Sequence, residues 1–282
     1  MITMMLVAAL QVASATPSVA KPTAVARPQA AAVRQAPPRA HRVVVDAGHG
    51  GVDPGSGMRG SGLVHEKDIA LQVSLKLGEL LAQRGVDVIY TRKTDTLIAR
   101  ADRGRIANQA NGDVFISIHV NAANPGWRDA SAARGFETWF LGVAKTEDAR
   151  RVEEMEESSG RFETGTGRGA SDPLDFIVND MLQNEYLRES SDLAATIQRG
   201  LKQMHPGPDR GVKQAEFTVL VTAFMPAVLV EIGFGTNPQE AAFLRSQSKQ
   251  RALAAAVADA TMEYLERYQR RVSGGSASTA HE

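Results

Sequence analysis

Three polar residues sit where apolar runs end. His49 follows the run RVVVD at residues 42–46, inside the loop DAGHGG; His119 ends DVFISIH; Glu231 ends AVLVE. In an open α/β sheet, ligands gather at the carboxyl ends of the strands. Three groups able to bind a metal or move a proton, each at the end of its own strand, therefore predict a site. A fourth, Glu66, opens a helical pattern directly after the glycine-rich stretch GHGGVDPGSGMRGSGL, whose lack of side chains lets backbone approach a bound species closely. Each residue alone has a structural alternative, as a hydrogen-bonded strand-end side chain or as a carboxylate beside a helix N-terminus. The set of four argues for chemistry.

The chain contains no cysteine, so thiolate metal sites and disulfides are excluded. His49, Glu66 and His119 form the His₂Glu type of set that holds catalytic zinc with a fourth position open. Zinc lowers the pKa of a water there to about 7 and polarises a carbonyl, and a second carboxylate can then shuttle the proton. Spacing alone does not say which of Glu66 and Glu231 binds the ion. Glu231 ends an apolar strand, so burial is expected to raise its pKa while a nearby cation opposes that rise. Two tempting motifs fail. The glycine-rich loop has neither phosphate-binding pattern, and His65-Glu66 cannot start H-E-x-x-H because position 69 is Ile69. Asp46 is a candidate partner that orients His49, and Arg92 and Asn121 are candidates to face substrate. Asn237-Pro238-Gln239-Glu240 reads structurally, with Asn237 as N-cap, Pro238 at the first helical position and Glu240 closing a capping box. His41, His205 and His281 have no partner that the sequence identifies.

These residues need a scaffold, and the composition allows one. Of 282 residues, 43% are apolar and 23% charged, with 32 basic and 32 acidic side chains. That is ordinary for a globular domain and lacks the basic excess of a nucleic-acid binder. Apolar periodicity predicts strands at 42–46, 86–90, 113–119, 136–141, 217–221 and 227–231. It predicts helices at 66–84, 98–110, 191–204, 238–246 and 249–270. Strands alternating with helices make an α/β domain with a mostly parallel twisted sheet flanked by helices, spanning residues 41–270. Before it, the apolar run at 4–12 followed by Ala13-Ser14-Ala15 reads as a signal peptide at 1–15, although the first lysine is Lys21 and a positive leading segment is missing. Residues 16–40 are a Pro/Ala-rich linker, and 271–282 a disordered tail. No run is long enough for a stable membrane span.

Residues 142–190 interrupt the alternation. They carry an acidic run (Glu153, Glu154, Glu156, Glu157), a glycine-rich part GTGRGAS and a helical part at 174–187. An acidic run is most often a solvated helix face, but an excursion this long inside a compact domain is usually functional or disordered.

VVVDAGHGG with DPGSG, Glu66-Lys67, FISIHVNA and VLVEIGFGTNPQE, in this order, resemble the zinc-dependent N-acetylmuramoyl-L-alanine amidases of the amidase type 3 family. YTR at 90–92, RGFE around Gly135 and RGVKQAEFTVL from Arg210 are similar to that family too, so the resemblance covers residues 42–268 apart from the insertion. It implies a single α/β domain in which His49, Glu66 and His119 bind Zn²⁺ and Glu231 is the catalytic carboxylate. It implies hydrolysis of the amide joining N-acetylmuramic acid to L-alanine in peptidoglycan, by a protein exported to the periplasm or cell envelope. The competing expectations are another zinc peptidase of the wall stem peptide and a non-catalytic wall-binding module. Some division amidases of the family carry an insertion here that folds over the zinc. By that resemblance 142–190 is a regulatory lid, Glu156 the leading candidate for an autoinhibitory ligand, and an envelope activator protein the partner that pulls the lid away.

Overall fold

Val43, Val44 and Val45 are all fully buried, because strand β1 (Arg42–Ala47) has helices on both of its faces. Successive strand residues point to opposite sides. Val43 and Val45 enter a core formed with helices α1 (Glu66–Ala82), α4 (Pro173–Lys202) and α7 (Gln247–Ser278), whereas Val44 enters a second core on the other face. Helices α2 (Arg100–Gln109), α3 (Glu147–Glu157) and α5 (Thr218–Val221) cover that second face. The computed structural model describes residues 40–55, 64–124, 127–163 and 173–278. The expected signal peptide, the linker up to residue 39, residues 56–63 of the glycine-rich loop, residues 164–172 of the insertion and the last four residues lie outside the described ones.

The sheet also contains β2 (Asp87–Tyr90), β3 (Val114–Asn121), β4 (Phe136–Leu141), β5 (Asp209–Ala215) and β6 (Ala227–Phe234), in the order β2-β1-β3-β6-β4-β5. The β1, β2, β3 and β6 strands run parallel, β4 is antiparallel to β6, and β5 follows β4 in parallel. This is the expected α/β architecture, a mixed and largely parallel sheet between helical layers. Two consequences bear on the site. The carboxyl ends of β1, β3 and β6 lie side by side, and the register pairs His119 with Glu231 and Glu231 with Glu137 of β4.

Four expectations are corrected. Residues 217–221 do not form a strand: Thr218–Val221 is one helical turn, and the edge strand is β5. FTVLV imitates a strand because it is β-branched and apolar, while β5 is half-exposed and polar, as an edge allows. The helical part at 174–187 and the helix expected at 191–204 are one helix, α4. The last helix, α7, runs on to Ser278, into the stretch expected as a tail. Around α6 (Pro238–Arg245), Asn237 is the N-cap and accepts from the amides of Gln239 and Glu240 at 3.0 Å each. Glu240 does not close a capping box; its carboxylate accepts from the amides of Gly135 and Phe234 at 2.7 Å each and ties two loops together. His205, which the sequence left without a partner, is buried between Phe136 and Phe243, with Nε2 3.1 Å from the Ile232 carbonyl.

Candidate metal centre

The turn after β1 needs a backbone that few residues adopt. His49 has φ 57°, and Gly50 and Gly51 have φ 130° and 59°. Glycine enters this left-handed region freely and histidine only seldom, so the strain at His49 must be held by its surroundings. Two buried arginines hold it. Arg92 donates to the carbonyls of Ala47 at 3.0 Å, Gly48 at 2.7 Å and Lys67 at 2.8 Å. Arg103 donates to the carbonyls of Ala47 at 2.5 Å and His49 at 2.9 Å. At Gly48 there is no room for a side chain, since a Cβ there would stand 2.5 Å from Cε1 of His119.

This loop, the end of β3 and the start of α1 bring His49, His119 and Glu66 together, and α3 adds Glu156. One ligand atom from each of the four lies within 4.8 Å of the other three. His49 Nε2 stands 3.2 Å from Glu66 Oε1 and 3.1 Å from Glu156 Oε2; His119 Nδ1 stands 3.2 Å and 2.9 Å from the same two atoms. A tetrahedral ion with bonds of about 2.1 Å would space its ligands about 3.4 Å apart, close to these separations. His49 Nε2 is buried between two carboxylates yet makes no hydrogen bond, and the same two carboxylate oxygens stand close to His119 Nδ1. Electrostatics agree. Burial works against a charge on His119, but Glu156 and Glu66 outweigh it and push its pKa up to about 10. Burial likewise opposes a charge on His49, and Glu66 and Glu156 carry its pKa well above the usual value. Two buried carboxylates demand positive charge here, and a divalent cation meets that demand without protonating the imidazoles.

Glu231 lies outside the four-donor cluster. It is fully buried on β6 and neither carboxylate oxygen has a hydrogen bond. Burial, then repulsion from Glu156, pushes its pKa well above the usual value. Such a carboxyl is suited to hold and release a proton.

Glu156 reaches the cluster because of where it sits on α3. Ala149, Val152 and Glu156 are the buried residues of that helix, one stripe at helical spacing. The first two pack in the second core; the third places a carboxylate where an apolar side chain would ordinarily continue the stripe, so it must find a partner. The other acidic residues fasten the helix down. Asp148 accepts from Lys213 at 2.7 Å and Arg210 at 2.9 Å. Glu153 accepts from the amide of Glu216 at 3.1 Å. Glu157 accepts from the amide of Thr218 at 2.8 Å and pairs with Arg100, which Glu163 also binds at 2.9 Å. Only Glu154 of the acidic run is exposed. The run is a strap across the cluster, not a solvated face.

Three weaker expectations are corrected. Asp46 does not touch His49. It is fully buried and bound by Thr91, Ser117 and Arg103 at 2.5, 2.6 and 2.9 Å, because the chain turns at Ala47 before His49 emerges. The partner of His49 is Asp53, whose Oδ2 lies 2.7 Å from Nδ1. A carboxylate four residues beyond the histidine, inside the same glycine turn, was the available signal for it. Arg92 does not face substrate; all four of its bonds go to backbone carbonyls. Asn121 is fully buried and donates to Glu137, below the surface a substrate would meet.

Comparisons with known proteins identify the family and the fold. The family model described as N-acetylmuramoyl-L-alanine amidase matches residues 43–263. AmiA of Escherichia coli (strain K12) is 32% identical over 228 residues, which are 79% of this chain and 75% of that protein. A solved N-acetylmuramoyl-L-alanine amidase from Clostridium difficile 630 superposes with a TM-score of 0.61 at 30% identity, covering 81% of this chain and 98% of that one. The CwlD amidase from Clostridioides difficile, solved in complex with the GerS lipoprotein, gives a TM-score of 0.57 at 25% identity over 80% of this chain and 98% of its own.

Proposed function

This chain belongs to the N-acetylmuramoyl-L-alanine amidase family, and on that premise we propose that it is a zinc enzyme cleaving the amide between N-acetylmuramic acid and L-alanine. His49, Glu66 and His119 hold the ion and Glu231 moves the proton. What carries this reading is the convergence of buried donors on one point beside a buried carboxyl that bonds to nothing. Held by His49, Glu66 and His119, a zinc ion would acidify a water and polarise the scissile carbonyl. Glu231 takes the proton of the attacking water and returns it to the leaving amine, one carboxyl serving as base and then acid. Asp53 accepts a proton's bond from Nδ1 of His49 and so keeps the Nε2 lone pair directed inward. The arginines Arg92 and Arg103 hold the loop in its left-handed turn.

Glu156 supplies a fourth protein ligand, which turns an open catalytic geometry into a closed one. On this reading the strap is an autoinhibitory lid and the closed arrangement is that of the resting enzyme. An envelope activator that grips residues 142–190 and binds the open form better would shift the equilibrium toward activity. Peptidoglycan lies outside the cytoplasmic membrane, so this chemistry takes place in the cell envelope after export, with residues 1–15 as leader, 16–40 as linker and 41–270 as catalytic domain. Among the described residues no helix is long and apolar enough to cross a membrane.

Mass analysis of purified sacculi digested with and without a chelator tests this. The expected products are intact stem peptides with a free L-alanine amine, absent when chelator is present. Shortened stems still attached to glycan would instead identify a stem-peptide peptidase, and chelator-resistant release would remove zinc from the account.

A further inference from the structure

Arg210 and Lys213 face the strap from β5, and both are only about a quarter exposed or less, at 24% and 21%. Between them they meet two carboxylates. Glu137, fully buried on β4, accepts from Arg210 Nε at 3.1 Å, forms an ion pair with Lys213 Nζ at 2.5 Å and receives Asn121 on its other oxygen. Asp148, on the strap, takes Arg210 Nη2 and Lys213 Nζ and has Arg151 of its own helix at 3.3 Å. The carboxyl of Asp148 is held below its usual value, Lys213 outweighing the burial that opposes its charge. The charge count is uneven once the strap departs. Glu137 is built into the sheet and stays; Asp148 leaves with α3. Two cations then face one carboxylate, with a guanidinium edge and an ammonium pointing to the vacated place and one positive charge unmatched. A partly buried cation left this way recruits another anion.

On the reading that the strap covers the substrate site, we propose that Arg210 and Lys213 form a subsite for a carboxylate of the stem peptide, and that Asp148 stands in for it in the closed enzyme. The place along the substrate follows from the helix. Asp148 and Glu156 are eight residues apart, about 12 Å along the axis at 1.5 Å per residue. An extended peptide advances about 3.4 Å per residue. With the reach of its own side chain, the third stem residue brings a carboxylate there when the scissile amide is at the cluster. Strap and substrate thus compete twice, at the metal donors through Glu156 and at the cations through Asp148. The preferred substrate is a stem with a free carboxylate at that residue.

The test uses the full chain with zinc and Asp148→Asn, which empties the subsite of its internal occupant. Two soluble muramyl tripeptides are compared, free carboxylate against carboxamide at the third residue, with the chain end amidated in both. The carboxylate compound should have a KM about tenfold lower, the scale of one charge-assisted contact. Adding Lys213→Gln should abolish the difference in KM between the two compounds, and Lys213→Arg should preserve it. Equal KM values with Lys213 intact, or a Lys213→Gln effect of the same size on both compounds, would overturn the subsite while leaving the amidase reading in place. Cleavage of neither compound by any variant would overturn both.

Discussion

His119 and Glu231 are register partners on adjacent parallel strands. Backbone hydrogen bonding of the sheet therefore sets the spacing between a candidate metal donor and the carboxyl next to it, and neighbouring strands stand about 4.8 Å apart. No loop movement is needed to assemble this pair. Glu231→Gln is isosteric and lies outside the four-donor cluster, so the variant should fold and bind zinc at one ion per chain. Its turnover should fall about 10²- to 10⁴-fold, the usual contribution of acid-base catalysis. Metal analysis alongside initial rates on sacculi checks both halves. A rate near that of the parent would assign proton transfer to another group.

Glu156→Gln should have the opposite effect. Removing the charge weakens a fourth ligand while His49, Glu66 and His119 remain, so basal sacculus solubilisation should rise at least about tenfold, the change expected if roughly 1.4 kcal/mol is taken from the closed state. Zinc content should be unchanged. Lower activity at full zinc occupancy would mean that Glu156 assists catalysis.

Asp53 and Asp46 separate by assay. Asp53→Asn removes the acceptor of His49 Nδ1 and should weaken zinc retention about 10- to 100-fold, read by chelator competition, with little change in thermal stability. Asp46→Asn leaves Arg103 buried without its carboxylate and should lower the melting temperature, because an uncompensated buried charge is costly. Equal zinc retention in the Asp53 variant and the parent would refute the orienting role.

Arg100 fastens the far end of the strap through Glu157 and Glu163. Arg100→Gln should speed amide hydrogen exchange in residues 147–163 more than in the sheet strands, since a locally weakened segment opens without global unfolding. Uniform acceleration across the domain would show that Arg100 supports the fold as a whole.

The four principal residues were legible in the sequence because each ends or begins a strongly patterned element, and strand ends in a parallel sheet converge. Glu156 was singled out through the resemblance; its burial on the inner stripe of α3 is a property of that helix's packing. What was not legible depends on the path of the chain. Asp46 and Asp53 are both near His49 in sequence, and only the left-handed turn decides that the later one reaches it. Arg92 looked like a surface residue beside a substrate, since nothing in YTR announces that its guanidinium folds inward onto carbonyls. β5 escaped because a half-exposed edge strand does not need apolar alternation, and 217–221 was misread because one buried helical turn needs only a few apolar residues, which FTVLV supplies.

Helix α3 begins only a few residues after β4 ends at Leu141, and if Glu156 closes the site as proposed, that short tether makes it a ligand that never diffuses away. Its effective concentration at the metal donors is fixed by the loop and does not fall when the protein is diluted. Specific activity should therefore be the same from nanomolar to micromolar enzyme, unlike a complex with a separate inhibitor. A soluble competitor for the donors must contend with that fixed local concentration. Free substrate alone has to exceed it, whereas a protein that binds the opened strap lowers it directly. On the proposed reading, control of the wall-cutting step resides in who occupies the strap, and the amount of enzyme matters less.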